Sequence, residues 1–251
     1  MSVAAALLSG SVGASLGQAR GWLPRAGALA FNSHTTYFAG RSYPEAGSAS
    51  VITEFVVPRL VCTTTNTGVA SGAFLYTTAG SSGHGHSSQT DLSAATVQLF
   101  CLHGEPEPLP VVELKGKQSY GSQRPHIGDL MRAVVIDSPT KLAVTIQDLT
   151  EDHEFNLTKS TAPAPASETS IGDDVLAGVP SLTPGPIYPV TNFGSIHFSA
   201  GRINGKLLGA AGGKAFDMTS SRRVLEIKTG PLTGGRSAKR RDGFATAWKH
   251  S

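Results

Sequence analysis

The chain has 251 residues, of which 39% are hydrophobic, 16% charged, 29 glycine and 15 proline, and its formal net charge is +3. That length can bury a substantial core in one large domain, while the low charge and abundant turn formers exclude a coiled coil or helical bundle. No apolar run reaches the roughly 18 residues of a membrane span, and so small a net charge gives no reason to expect a nucleic-acid partner.

Residues 1–28 read as a flexible Ala/Gly/Ser arm or a weak leader, because no Lys or Arg precedes Val3–Leu8 and Ser9-Gly10-Ser11 interrupts the apolar run. From Leu29 onward, short apolar runs between turn residues predict a single β-sandwich domain over residues 29–251. Strands are expected at Thr36–Ala39, Val51–Val57, Gly72–Thr77, Ala95–Cys101, Pro110–Leu114, Asp129–Ile136, Leu142–Asp148 and Glu154–Thr158. Later ones are expected at Gly194–Phe198, Arg223–Lys228 and Gly243–Trp248, with loops at Ser81–Ser88 and Thr161–Ser167. In Leu142-Ala143-Val144-Thr145-Ile146-Gln147 the strict alternation marks one buried and one wet face. Cys62 and Cys101 each follow an apolar run. Buried free thiols and a single bridge are equally compatible with that placement. No CxxC spacing offers a cysteine zinc site.

Taken in series, these segments resemble the glutamic peptidases, or eqolisins. Tyr37-Phe38-Ala39-Gly40 is similar to the family's Asn-Trp-Ala-Gly, Phe55-Val56-Val57-Pro58 to Trp-x-Val-Pro, and Gly72-Ala73-Phe74-Leu75 to Ser-Ala-Trp-Val. Val97-Gln98 matches the Leu-Gln or Val-Gln pair, and Glu113 takes the place of the Trp-Tyr-Glu glutamate. Ile127-Gly128-Asp129-Leu130, Ile146-Gln147-Asp148-Leu149-Thr150 and Val190 to Phe198 continue the match, which closes at Gly243 to Trp248. The resemblance covers about residues 36 to 248. It implies an all-β, concanavalin A-like sandwich of two antiparallel sheets and an acid endopeptidase activity on polypeptides.

The family's chemistry uses a glutamine amide and a carboxylate on one water. The carboxylate takes a proton from the water and returns it to the leaving amine, while the amide N–H stabilises the oxyanion. By resemblance, Gln98 supplies the amide and Glu113 a supporting carboxylate. The family strand Ala-Glu-Trp-Ile-Val-Glu carries the catalytic acid at its end, where this chain has Ser167-Glu168-Thr169-Ser170-Ile171-Gly172-Asp173-Asp174. Without a gap the acid falls on Gly172; a one-residue shift selects Asp173, one methylene shorter than glutamate. Phe38, Phe55, Phe74 and Val111 stand where the family has tryptophan. The expected dyad is therefore Gln98 with Asp173. The alternative is a non-catalytic sandwich that binds carbohydrate or protein.

Other constellations carry less. His84, His86 and His103 with Asp91 lie among Ser and Gly and read as an exposed loop, and Glu168, Asp173 and Asp174 lack the ordered spacing of a calcium loop. Neither a metal nor another cofactor is expected. Asn156-Leu157-Thr158 is a glycosylation acceptor if the chain is secreted. Ala238-Lys239-Arg240-Arg241 reads as a solvated basic hairpin loop. The expected protein is an extracellular monomer with no membrane span.

Overall fold

Alternation of apolar and polar side chains drives almost every described segment into a strand. The structure, a computed structural model, describes residues 33–35, 38–47, 49–62, 67–77, 92–102, 104–115, 117–160, 166–175, 192–219 and 225–249. The strands are β1 (Ser33–Thr35), β2 (Phe38–Gly47), β3 (Ala49–Val56), β4 (Thr67–Thr77), β5 (Leu92–Leu102), β6 (Glu105–Leu114), β7 (Lys117–Tyr120) and β8 (Leu130–Ser138). They continue as β9 (Lys141–Asp148), β10 (His153–Ser160), β11 (Ala166–Val175), β12 (Ser195–Ile203), β13 (Lys206–Leu207), β14 (Lys214–Thr219), β15 (Leu225–Thr229) and β16 (Phe244–Trp248). A four-residue helix α1 (Leu208–Ala211) and a short 3-10 turn at Ala238–Arg240 are the helical pieces among the described residues. Neither is long and apolar enough to cross a membrane. The expected arm at 1–28, the Ser81–Ser88 loop, and His84, His86, Asp91 and His103 lie outside the described residues.

The strands hydrogen bond along one path, β10-β9-β8-β3-β12-β16-β15-β14-β2-β11-β4-β5-β6-β7. The path doubles back, so that β4, β5 and β6 pack on β3, β8, β9 and β10, and β2 and β11 on β15, β16, β12 and β3. The expected all-β sandwich is present. Its two layers are joined at one edge through β14 and β15, where Met218 pairs with Ile227, rather than standing as two separate sheets.

One core fills the space between the layers. Met131, Ala133 and Val135 of β8, Leu142, Val144 and Ile146 of β9, and Ala95, Val97 and Leu99 of β5 alternate inward. Phe198 of β12 stacks on Phe244 of β16 at 5.0 Å and tilts against Phe55 of β3 at 5.6 Å. Burying each such ring contributes roughly 1.5–3 kcal/mol.

Where the strands run longer than the sequence predicts, neighbours supply the reason. β6 begins at Glu105 despite Pro106, Pro108 and Pro110. Prolines at alternate positions aim every missing N–H toward the same side. The Pro110 carbonyl on that side accepts from Gly121, and β7 pairs only with Val111 to Leu114, so no β5 partner is lost. β11 is polar and glycine-containing, yet it is clamped between β2 and β4 along its length, a case of pairing overriding propensity. The expected loop at Thr161–Ser167 accordingly gives way to strand at Ala166.

The cysteines form a bridge. Cys62 follows β3, Cys101 lies next to the last residue of β5, and their Cα atoms lie 5.4 Å apart with 39 residues of sequence separation. Closing a loop of that length restricts the unfolded chain by about 4 kcal/mol in the chain-entropy model. The double variant Cys62→Ala/Cys101→Ala is expected to lose roughly 2–5 kcal/mol in urea unfolding; an unchanged midpoint would show that the bridge does not restrain the fold.

Candidate functional site

Register across β2, β11, β4, β5 and β6 sorts the site residues into rows. Because paired residues share a face and successive residues alternate, three rows lie on the face turned away from the core. The first is Phe38, Asp174, Ala70, Gln98 and Leu109. The second is Gly40, Gly172, Gly72, Thr96 and Val111, and the third is Ser42, Ser170, Phe74, Ala94 and Glu113. Of Asp174 and Phe74 only this backbone position is described.

The middle row explains why no side chain stands at 172. Gly40, Gly172 and Gly72 have φ between +151° and +159°, a region that L side chains rarely adopt. A Cβ on Gly172 would lie 2.1 Å from the Ala39 carbonyl oxygen. One on Gly40 would meet the Ile171 oxygen at 2.2 Å, and one on Gly72 the Ala95 oxygen at 2.1 Å. Each glycine therefore lets the neighbouring backbone close over it. The ungapped alternative for the acid thus falls where only glycine fits.

Gln98 is 5% exposed, and among the described residues no group hydrogen bonds its amide. Ala70, Phe100 and Leu109 form a small apolar cluster beside it. Glu113 shares the face but is paired with Ala94, four residues along β5 from Gln98, a separation of about 13 Å at strand rise. Gln118 Nε2 donates to Glu113 Oε2 at 3.0 Å, and Tyr120 Oη donates to Gln118 Oε1 at 3.0 Å. Burial pushes the Glu113 carboxyl up to about 7, with the Gln118 hydrogen bond opposing the shift. Burial and the charge of Glu113 raise Tyr120 as well.

Asp173, the expected partner of Gln98, lies on the other face of the layer. Asp173 sits in register with Ala39 and with Ser71, and Ser71 with Val97, so it belongs to the opposite, core-facing side of the layer. It has no exposed surface. Ser71 Oγ donates to its Oδ1 at 2.6 Å. The Thr246 hydroxyl helps to stabilise its charge, yet neither Asp173 Oδ2 nor Thr246 Oγ1 has a partner within hydrogen-bond distance. Thr246 is therefore a weak contact of Asp173. Burial pushes the Asp173 carboxyl up to about 7, against the two hydroxyls. The residue that does lie in line with Gln98 is Asp174, two pairings away through Ala70. Parity could have found it: a one-residue shift from Gly172 changes face, whereas a two-residue shift keeps it.

Neither a protein-family model nor a curated protein matches the sequence. Solved structures do. Scytalido-glutamic peptidase with a transition-state analogue inhibitor aligns at TM-score 0.67 and 11% identity, covering 85% of this chain and 98% of that one. SCP-B, a member of the eqolisin family in complex with the tripeptide Ala-Ile-His, aligns at TM-score 0.64 with the same identity and coverage. The chain has the eqolisin fold. At 11% identity the likeness establishes architecture alone, so the chemistry rests on the rows described above.

Two outcomes follow for this eqolisin-fold layer. Restoring an acid by Gly172→Glu, or placing only a methyl by Gly172→Ala, is expected to destabilise by about 1–3 kcal/mol or more through overpacking; a folded variant of wild-type stability would remove the steric account of the glycine row. Asp173 and Glu113 keep protons in the folded state that their unfolded forms release above 3.8 and 4.5. Stability should therefore be greatest below those values and fall as pH rises toward 7, by up to about 1.4 kcal/mol per pH unit for each group. Urea unfolding between pH 4 and pH 7 tests this, with Asp173→Asn expected to flatten the slope and an unchanged slope contradicting it.

Proposed function

We propose that this protein is a peptide hydrolase of the glutamic type in which Gln98 works with the aspartate at 174. The observation that carries the reading is the in-register row Asp174, Ala70, Gln98 on one face. Two strand spacings separate the outer positions, about 9.6 Å, and Ala70 is the paired residue between them. The carboxylate takes a proton from the water as it attacks the peptide carbonyl, the Gln98 amide donates to the developing oxyanion, and the proton then passes to the leaving amine. Glu113, protonated below about 7, adds no negative charge to this face in acid. The Cys62–Cys101 bridge fits an oxidising, extracellular setting.

The test is digestion of an acid-unfolded polypeptide between pH 2 and pH 6. Wild type is expected to cleave, and Gln98→Ala and Asp174→Asn to lose on the order of 10²-fold or more in rate. Asp173→Asn should retain activity because it faces the core. Loss in Asp173→Asn with retention in Asp174→Asn would overturn the assignment. A folded chain that cleaves nothing would overturn the activity and leave a binding sandwich, with carbohydrate the first ligand to test.

A further inference from the structure

A second group of reactive side chains lies outside the Gln98 face, where the turn before β8 meets the turn between β9 and β10. His126 Nδ1 is 3.0 Å from Glu151 Oε1 and 3.5 Å from Asp129 Oδ2. One ligand atom from each of the three falls within 4.8 Å of the other two. Asp129 Oδ2 also accepts from the His126 backbone N–H, and the contact of Nδ1 with Glu151 Oε1 is favourable either with a proton on Nδ1 or with a metal ion shared between the two.

The backbone holds this convergence in place. Gly128 N donates to the Val57 carbonyl and Val57 N to the Asp129 carbonyl, both at 2.9 Å. Leu149 N donates to the Leu130 carbonyl at 2.8 Å, and Leu130 N to Thr150 Oγ1 at 2.8 Å. Asp148 Oδ1 accepts from Thr150 N and Glu151 N at 2.9 and 3.1 Å. The turns carrying the three side chains are thus tied to each other before any ion arrives, which lowers the ordering entropy of binding.

We propose that His126, Asp129 and Glu151 form a binding site for a divalent transition metal of the zinc type. Zinc bonds of about 2.0–2.1 Å in a tetrahedron require ligand atoms about 3.3 Å apart. The two His126 distances of 3.0 and 3.5 Å bracket that edge. Glu151 has a side chain 40% exposed and is free to close the third. Calcium fits poorly, because an imidazole nitrogen replaces one of its oxygens. His153 completes the surroundings: its Nδ1 faces the second oxygen of Glu151 at 3.8 Å, and its Nε2 meets Gln123 Nε2 at 3.3 Å. It orients a ligating carboxylate, as partners of metal ligands commonly do. The ion staples the ends of β8, β9 and β10 and takes no part in the Gln98 chemistry. This departs from the expectation of a metal-free chain drawn from the sequence.

Titration of the full chain with zinc chloride, read by calorimetry and by thermal unfolding, tests the site. One equivalent is expected to bind with micromolar affinity and to raise Tm by about 5 °C at saturation. His126→Ala and Glu151→Gln should each weaken binding at least about 10-fold, and His153→Ala by a smaller factor. Both ligand side chains are partly solvent-exposed, and unchanged far-ultraviolet circular dichroism would confirm that the variants fold. Zinc binding that survives His126→Ala belongs to other histidines and overturns the assignment. So does calcium binding in place of zinc. An unliganded chain whose Tm falls with His126→Ala but ignores zinc would show a protonated ion-pair cluster and no metal site.

Discussion

Backbone contact across the glycine row is the constraint on which the rest of this layer depends. Gly40, Gly172 and Gly72 lie side by side on three adjacent strands, each with its neighbour's carbonyl where a Cβ would be. Strands that approach so closely cannot shift register, since a slip of one residue would push Ala39, Ser71 or Asp173 into the same contacts. The row thereby fixes which residues share a face with Gln98. It divides the Gln98 row from the Glu113 row and leaves a strip without side chains on β2, β11 and β4. Any catalytic acid in this layer has to stand beside the strip and not on it.

That constraint places the adjacent positions Asp173 and Asp174 of β11 on opposite sides of the layer. Asp173 is directed into the interior, where burial, opposed by the Ser71 hydroxyl, leaves it protonated up to about 7. A buried neutral carboxyl with a single firm partner adds a polar fault to the core. Among the described residues it is accompanied by unpartnered polar atoms of Arg41, Tyr43, Thr169 and Thr246. Arg41 lies 5.8 Å from the Phe244 ring and donates to the Gly230 carbonyl. The sandwich thus carries a polar seam beside its aromatic stack, and acid conditions relieve part of its charge. Stability that improves toward low pH is the thermodynamic setting in which an acid hydrolase would operate.

Much of the fold was legible because strand alternation is local. Leu142 to Gln147 announces its buried face in the order of its side chains, and the apolar runs around Val51, Val97 and Met131 do the same. The stretches that escaped notice are those whose strand state is imposed by partners. β11 has little β propensity in Thr169-Ser170-Ile171-Gly172-Asp173, and the Pro106, Pro108 and Pro110 series argues against a strand until the unpaired side of β6 is known. The resemblance to the eqolisins located Gln98 and Glu113 on strands and led to the right architecture. It did not tell Asp173 from Asp174, because a one-residue shift looks small in an alignment and exchanges faces in a sheet.

The sequence by itself determined an all-β chain with short amphipathic strands, one possible cysteine pair, and a segment after Glu168 lacking the family glutamate. Those properties follow from side-chain type and period, which need no partner to be read. Only the tertiary structure decided that Cys62 meets Cys101, that Gly172 is sealed by the backbone of β2, and that Asp174 rather than Asp173 stands in line with Gln98. It also brought His126, Asp129 and Glu151 together from turns more than twenty residues apart. Each of these depends on register and on long-range pairing, and register is set by close contacts between strands that the order of residues along one strand does not contain.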